Sequence, residues 1–149
     1  MMSTLKRAEL VALLTREVRK FIAGTILFNE SVAASVGLNA TDLQFLNLLE
    51  LGLASTPGEL ARWSGLTSGG VTVVLDRLER AGFIQREPNP ADRRSVLIRT
   101  VPARARKLQS RYRTKGELLV STLAVYSEDE LRLILDFFTR TNDANRPDS

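Results

Sequence analysis

The sequence predicts a mostly α-helical domain with one small β-element of two or three strands. Most of the 149-residue chain carries apolar residues at the three-to-four spacing of amphipathic helices. The spacing shortens to that of strands only over 83–87 and 95–101, on either side of a turn-rich loop. The composition, 44% hydrophobic and 26% charged, is that of a globular protein. No repeat or linker interrupts the pattern, so we expect one domain, 1–149.

The residue types that are missing restrict the chemistry. The chain has no cysteine and no histidine, which excludes disulfides and thiolate nucleophiles and removes the commonest metal ligand and general base. Carboxylate or serine/lysine chemistry remains permitted, but no nucleophile–base pairing or metal-ligand spacing is visible. The glycines from Gly65 to Gly70 lack the Gly-Lys-Ser/Thr ending of a phosphate-binding loop. We therefore predict no enzymatic activity and no cofactor.

The N-terminal segment does not resemble a membrane or export signal. No run of 18 apolar residues is present, as a transmembrane helix requires. Charges at Arg16, Glu17, Arg19 and Lys20 interrupt the apolar pattern, and no small-residue cleavage site follows. A cytoplasmic protein without a membrane partner is expected.

Two helices are predicted in the first third of the chain. Apolar residues recur through 4–35, which indicates one long helix or two joined helices, and Gly24 within it indicates a bend or close packing. A second helix is expected to start at Thr41 and Asp42, which supply a capping side chain and an early acid. Gly52 is expected to end it.

Two further helices follow closely on each other. Thr56 can cap a short helix with Pro57 at its first position, and Gly65 ends it. The next helix is predicted over 67–81 with Thr67 as its cap. One apolar stripe marks its buried face: Val71, Val74, Leu75 and Leu78.

The C-terminal third returns to helix after the strands. Pro102 breaks the second strand, and helical spacing runs through 103–126. Ser127 is expected to cap a last helix that opens with three acids, which suit the positive end of the helix dipole. Residues 142–149 are polar and are expected to form a flexible tail.

The order of short helix, turn, helix and hairpin is that of a winged helix-turn-helix. In this motif the second helix enters the major groove of DNA with its N-terminal residues at base edges. Because the apolar stripe is committed to the core, the candidates for DNA contact are the other early residues: Thr67, Ser68, Gly69, Gly70, Thr72 and Val73. Hydroxyls can contact bases or phosphates, and glycines permit close approach. Alternatively, Gly69 and Gly70 only pack against another helix.

Positive charge is concentrated in one region. Residues 77–115 hold twelve of the 21 Lys and Arg residues but three acids, whereas the whole chain has a net charge of +4. A basic region on a near-neutral remainder indicates a polyanionic partner, although a solvated helix face would look the same. Arg77 could reach DNA phosphates, or it could pair with Asp76 or Glu79.

The loop between the strands indicates DNA binding more specifically than the concentration of positive charge does. Asp92, Arg93 and Arg94 lie at the expected hairpin tip, from which a guanidinium can insert into a narrow minor groove. Asp92 is expected to stabilise the hairpin by accepting a hydrogen bond from Arg94. Pro88 and Pro90 restrict the loop and lower the entropy lost on binding. The alternative is a solvated turn with a local ion pair.

Three stretches match a known family: Leu-Ala-Arg-Trp-Ser-Gly-Leu-Thr at 60–67, a run over 71–84 that contains Asp-Arg-Leu-Glu, and Asp-Arg-Arg-Ser at 92–95. They resemble the MarR family of bacterial transcriptional regulators. The similarity is strongest over 42–101, the winged helix-turn-helix lobe. One departure is the junction at 100–104, Thr-Val-Pro-Ala-Arg, where the family usually has Leu-Thr and a glycine two residues further on.

The resemblance implies an assembly and a role. It implies a homodimer whose dimerisation helices, 4–35 and 103–141, intertwine, with a recognition helix at 67–81 and a minor-groove wing that carries Arg94 and also Arg93. Such a dimer would bind double-stranded DNA at a pseudo-palindromic operator with half-sites about one helical turn apart. Repression is the commoner role in the family.

The resemblance also suggests a pocket for a small lipophilic or aromatic effector, whose binding would weaken DNA binding. Phe21, Phe28, Trp63 and Tyr112 are candidates to line it, although such residues more often belong simply to the core, which is the interpretation we prefer. A second hypothesis is a dimeric winged-helix interaction module that does not read DNA. The glycine pair favours this hypothesis. Val73 favours it too, because it occupies a position where a polar side chain would be expected to contact bases.

Overall fold

The computed structural model describes residues 5–147, and these form six α-helices and a two-stranded sheet. The helices are α1 (Arg7–Ser35), α2 (Ala40–Glu50), α3 (Pro57–Ser64), α4 (Ser68–Arg80), α5 (Pro102–Leu123) and α6 (Glu128–Ala144), and the strands are β1 (Ile84–Pro88) and β2 (Val96–Thr100). The predicted class, mostly helical with one small β-hairpin, is confirmed. No single described helix is long and apolar enough to cross a membrane, although α1 and α2 together meet that test as a bent pair.

The chain divides into two compact units, one up to Leu43 and one from Gln44 onward. The first contains α1 and the start of α2, and the second contains all the other elements. The sequence predicted one domain, and the division falls inside α2 rather than in a linker. Within α1 only Val32 and Ala33 are buried, so most of this helix is exposed or half-buried in the single chain.

The helix α1 is continuous where a bend or close packing was expected. It passes through Gly24 without interruption, and a Cβ at this glycine would meet no atom within 4 Å. The close contact predicted there is therefore absent from the described chain. The large apolar side chains of α1 that are exposed are Val11, Leu13, Leu14, Val18, Phe21, Ile22, Ile26 and Leu27.

The helix α2 begins differently from the prediction. The capping residue is Asn39, not Thr41: the Asn39 side chain accepts a hydrogen bond from the Asp42 N–H (2.8 Å), and the Asp42 carboxylate accepts one from the Asn39 N–H (3.1 Å). This reciprocal pair satisfies two N–H groups at the helix start, which a hydroxyl at Thr41 inside the first turn would not do. It also gives the fully buried Asp42 a hydrogen-bond partner.

The helix α3 starts and ends as predicted. Thr56 is its N-cap, Pro57 occupies the first position, and Gly65 closes it with a left-handed φ of 70°. The Glu59 carboxylate accepts hydrogen bonds from the Ser55 N–H (2.6 Å), the Ser55 hydroxyl (3.1 Å) and the Thr56 N–H (3.2 Å). The hydrogen bond from the Ser55 N–H lowers the pKa of Glu59 despite its partial burial.

We predict that the contribution of Glu59 to the free energy of unfolding depends on pH. Because its folded-state pKa lies below the unfolded value of about 4.3, its contribution is complete above that value and is lost as the pH falls through the folded pKa. We expect Glu59→Gln to lower the free energy of unfolding at pH 7 by about 1 kcal/mol, and the gap from wild type to close as the pH falls through the lowered pKa of Glu59. Urea titrations at fixed protein concentration would measure it, with Glu117→Gln on α5 as the control. A gap that stays constant with pH would contradict this role.

The core of the second unit lies where α4 meets the hairpin. The predicted stripe of α4 is buried, as are Leu60, Phe83 and Ile84. The strands pair antiparallel, with Ile84 opposite Thr100 and Arg86 opposite Ile98. The sheet has two strands among the described residues, and the Ile98 N–H donates to the Ser55 carbonyl at 2.8 Å, which fastens the outer edge of the hairpin to the chain before α3.

The altered junction after the hairpin is compact. The strand β2 ends at Thr100 and α5 begins at Pro102, whose missing N–H is not needed at the first helical position. The Arg104 guanidinium lies over the Phe83 ring, 5.7 Å from its centre. Proline thus takes the place of a capping side chain, and α5 follows directly from the strand.

The last helix is capped as predicted but is longer. The Ser127 hydroxyl accepts a hydrogen bond from the Glu130 N–H at 3.3 Å. The helix α6 continues to Ala144, so it includes the first residues of the predicted tail, 142–149, of which 148 and 149 lie outside the described residues. No residue of α6 is buried, and its large exposed apolar residues are Leu133, Leu135, Phe137 and Phe138.

Candidate nucleic-acid interface

The first turn of α4 presents an exposed polar surface. The Thr67 hydroxyl caps the helix by accepting a hydrogen bond from the Gly70 N–H at 3.1 Å. Thr67, Ser68, Gly69, Thr72 and Val73 are exposed, and Gly70 is half-buried. The predicted contact residues therefore lie opposite the buried stripe. Val73 is 59% exposed, which leaves its methyl groups open to a partner.

The two glycines of this turn do not pack against another helix. A Cβ at Gly70 would lie 3.4 Å from the Thr67 hydroxyl oxygen and 3.5 Å from the Leu66 Cβ, and one at Gly69 would lie 4.0 Å from the same oxygen. These neighbours belong to the residues just before the helix. The alternative explanation, that the glycines serve helix packing, is thus not supported.

The acids near Arg77 bind a different arginine. Arg86 of β1 forms ion pairs with Asp76 (Nη2–Oδ1, 2.6 Å) and with Glu79. The two acids suggested as local partners of Arg77 thus both bind the hairpin, and Arg77, which has an interaction of its own, is half-buried on α4. Sequence reasoning missed Arg86, although the spacing of Asp76 and Glu79 on one helical face was visible.

The tip of the hairpin is ordered by its own side chains. Asp92 Oδ1 accepts a hydrogen bond from the backbone N–H of Arg94 at 2.9 Å, and the Asp92 carbonyl accepts one from the Ser95 N–H at 3.1 Å. This is the bond expected between Asp92 and Arg94, with the backbone as donor. At the other side of the loop, Asn89 Oδ1 accepts from the Ala91 N–H at 3.0 Å. These hydrogen bonds between side chains and the backbone hold the loop in one conformation.

The two arginines of the tip point their charge to solvent. Arg93 and Arg94 are exposed, and no carboxylate within residues 5–147 forms an ion pair with either guanidinium. The alternative of a solvated turn held by a local ion pair is therefore not seen. An ordered tip with two unneutralised guanidinium groups is suited to an anionic partner.

The four aromatic candidates for an effector pocket are divided between the two units of the chain. Phe21, exposed, and Phe28, half-buried, belong to the first unit, whereas Trp63 and Tyr112 belong to the second. Burial raises the pKa of Tyr112, against the opposing effect of a hydrogen bond with Asn47. Tyr112 does not line the cavity that contains Trp63.

Trp63 lines a cavity of about 350 Å³. Its indole N–H donates a hydrogen bond to the Leu53 carbonyl at 3.1 Å. The other lining residues come from the segment before α3, from α3 and from the end of the chain: Gly52, Leu53, Glu59, Arg62, Arg146 and Pro147. The cavity therefore combines an aromatic ring with charged groups of both signs.

A short helix, a tight turn, a second helix with an exposed first turn and a cationic hairpin define a winged helix-turn-helix protein. The MarR family model matches residues 38–96. An HTH-type transcriptional regulator of Bacillus subtilis named YcgE is 36% identical over 92% of this chain and 89% of its own length. The chain belongs to the MarR family of transcriptional regulators, which confirms the predicted family and the prediction of a regulator rather than an enzyme.

Solved structures share the fold. A MarR family protein from Bacillus stearothermophilus has a TM-score of 0.68 at 19% identity and covers 94% of this chain and 98% of that one. A mutant of MarR from Escherichia coli, complexed with operator DNA, has a TM-score of 0.55 at 21% identity and covers 92% and 99%. The winged-helix architecture is therefore common to these proteins.

Proposed function

We propose that this protein is a cytoplasmic homodimeric repressor that binds a pseudo-palindromic DNA operator through α4 and the hairpin. The observation that carries the proposal is the pairing of two features in one compact unit: the exposed first turn of α4 and the ordered tip with Arg93 and Arg94. The solved complex of E. coli MarR with operator DNA supports the use of this fold for DNA binding.

The first turn of α4 is proposed to read the major groove. Hydroxyls of Thr67, Ser68 and Thr72 can donate to bases or phosphates, although the Thr72 hydroxyl also donates to the Ser68 carbonyl at 3.0 Å. The exposed methyl groups of Val73 fit the methyl group of thymine, an apolar feature of that groove. An apolar side chain that contacts a base at this position is thus compatible with DNA recognition. Arg77 is proposed to contact a phosphate.

The hairpin is proposed to contact the adjacent minor groove through Arg94 and Arg93. A narrow minor groove has the most negative potential on the duplex and attracts guanidinium groups. The hydrogen bond that Asp92 accepts from the Arg94 N–H would hold the tip in one conformation, so less conformational entropy would be lost on binding.

The homodimer is proposed from the apolar surfaces of α1 and α6. Soluble monomers rarely expose large contiguous apolar patches, yet each helix exposes several large apolar side chains. A second copy of the chain would cover them, with 4–35 and 103–141 as dimerisation helices. The two lobes would then meet half-sites about one helical turn apart.

Selection of bound duplexes from a random pool tests this function. We expect enrichment of an inverted repeat with half-sites roughly 10 base pairs apart, and the selected duplex placed at a promoter should lower reporter expression when the protein is present. A variant with both Arg93→Ala and Arg94→Ala is the control. If no sequence is enriched, the proposed function fails and the interaction module that does not read DNA is favoured.

An effector is proposed to act through the cavity at Trp63. Because Trp63 is the single tryptophan of the chain, its emission reports occupancy directly. Small aromatic probes such as benzoate, indole and naphthalene should include one that both alters the emission and weakens operator binding, which requires tighter binding to the DNA-free conformation. The Trp63→Phe variant controls for the optical signal. If every probe that alters the emission leaves operator affinity unchanged, the cavity is not an effector site.

A further inference from the structure

Arg86 occupies a position on the hairpin where the strand pattern would place an apolar residue. It lies opposite Ile98 in the antiparallel pair, and residues directly opposite each other share a face of the sheet. Ile98 and Ile84, two residues before Arg86, are both buried. Arg86 therefore lies on the inner face of the hairpin, and its side chain is only 27% exposed.

The guanidinium of Arg86 is held by two carboxylates of α4. Its Nη2 lies 2.6 Å from Asp76 Oδ1, and its Nη1 contacts the Glu79 carboxylate. Burial by itself would lower the pKa of Arg86, but the hydrogen bond with Asp76 and the two negative charges outweigh it and raise the pKa. The rigid planar fork of a guanidinium fixes the relative orientation of the groups it joins more firmly than a lysine would.

The hairpin is thus fastened on both sides of its base. Arg86 joins β1 to the second half of α4, and the Ile98 N–H joins β2 to the Ser55 carbonyl just before α3. The tip, residues 89–95, lies beyond these two attachments. An isolated two-stranded hairpin is marginally stable, so these attachments determine the direction in which it projects.

We propose that Arg86 is a positioning residue that sets the angle between the hairpin and α4, so that Arg94 and the first turn of α4 meet adjacent grooves together. The inference rests on the proposed function, because it assigns Arg86 a role in DNA binding without DNA contact. Asp76 and Glu79 then serve to hold the hairpin and do not read DNA.

The variant that tests the proposal removes the ion pairs without leaving free charges. In Arg86→Met with Asp76→Asn and Glu79→Gln, the stem of the side chain remains and no carboxylate is released beside DNA phosphates. We expect operator affinity to fall about tenfold, and the slope of affinity against salt concentration to become as shallow as that of Arg94→Ala, because the Arg94 guanidinium no longer reaches its groove. A wild-type affinity would overturn the proposal, and so would a slope shallower than that of Arg94→Ala, since it would mean that Arg86 itself contacts phosphate.

A double-mutant cycle with Arg94→Ala gives the second readout. In wild type, Arg94→Ala should weaken binding strongly, but in the triple variant it should cost less than about threefold, because the hairpin no longer places Arg94 in the groove. Additive losses would overturn the proposal. Circular dichroism confirms that each variant is folded, and Glu79→Gln in place of the triple change provides a partial variant if the triple one does not fold. Failure of wild type to bind any duplex would instead overturn the proposed function.

Discussion

Phe138→Arg on α6 is expected to convert the proposed homodimer into monomers. The side chain of Phe138 is 47% exposed in the single chain, yet it lies on the apolar side of a helix with 3.6 residues per turn. Leu131 and Ile134, seven and four residues earlier, share that side, and Asp136 and Arg140, which form an ion pair at 2.8 Å, lie on the other. If a second copy covers the apolar side, a charge at position 138 becomes an unpaired buried cation on association.

The size of this effect follows from the cost of burying a charge. An uncompensated buried charge costs about 3–5 kcal/mol, so the dissociation constant of the dimer should rise by at least about 100-fold. Sedimentation velocity over a range of concentrations measures it. The matched control is Thr139→Arg on the polar side of α6, which should stay dimeric. If Phe138→Arg and Thr139→Arg behave alike, α6 is not part of the interface.

Arg94→Ala is expected to weaken operator binding by about 1–3 kcal/mol without loss of stability. The Arg94 side chain is exposed, and the bond that orders the tip uses its backbone N–H, so the substitution removes the guanidinium and leaves the turn in place. Loss of a minor-groove cation should also lower the preference for sequences with a narrow groove.

A mobility-shift titration on the selected duplex measures the loss, and thermal unfolding checks the fold. Arg19→Ala on α1 removes one positive charge outside both the proposed interface and the basic region 77–115 and should change affinity far less. Equal losses from the two variants would mean that only net charge matters, and the assignment of the hairpin to the minor groove would be wrong.

The local elements of the fold could be predicted because their signals lie within a few residues. Thr56 with Pro57, Thr67 and Ser127 each begin a helix where the sequence predicts it, since a cap acts on the N–H groups of the next turn. The predicted start of α2 was wrong because Asn39 and Asp42 bind each other in a reciprocal pair, which outweighs the hydroxyl of Thr41. Preferences for the first position of a helix are defined for single residues and take no account of such pairs.

The contacts between elements could not be predicted in the same way. Asp76 and Glu79 were considered only as alternative partners of Arg77, whereas the structure pairs them with Arg86, which lies on another element. Only the register of β1 against β2 and the packing of α4 bring these groups together. The roles of Thr67, Val73, Arg93 and Arg94 in DNA binding stay predictions, because they depend on a partner that is not part of this chain.

Affinity of the wild-type protein for its selected duplex at two salt concentrations tests the central claim most directly. If α4 and the hairpin of both protomers bind the phosphate backbone and grooves together, affinity should fall by about 10³-fold or more between roughly 50 and 200 mM salt. An affinity that does not change with salt, or an absence of binding at the lower concentration, would contradict the account.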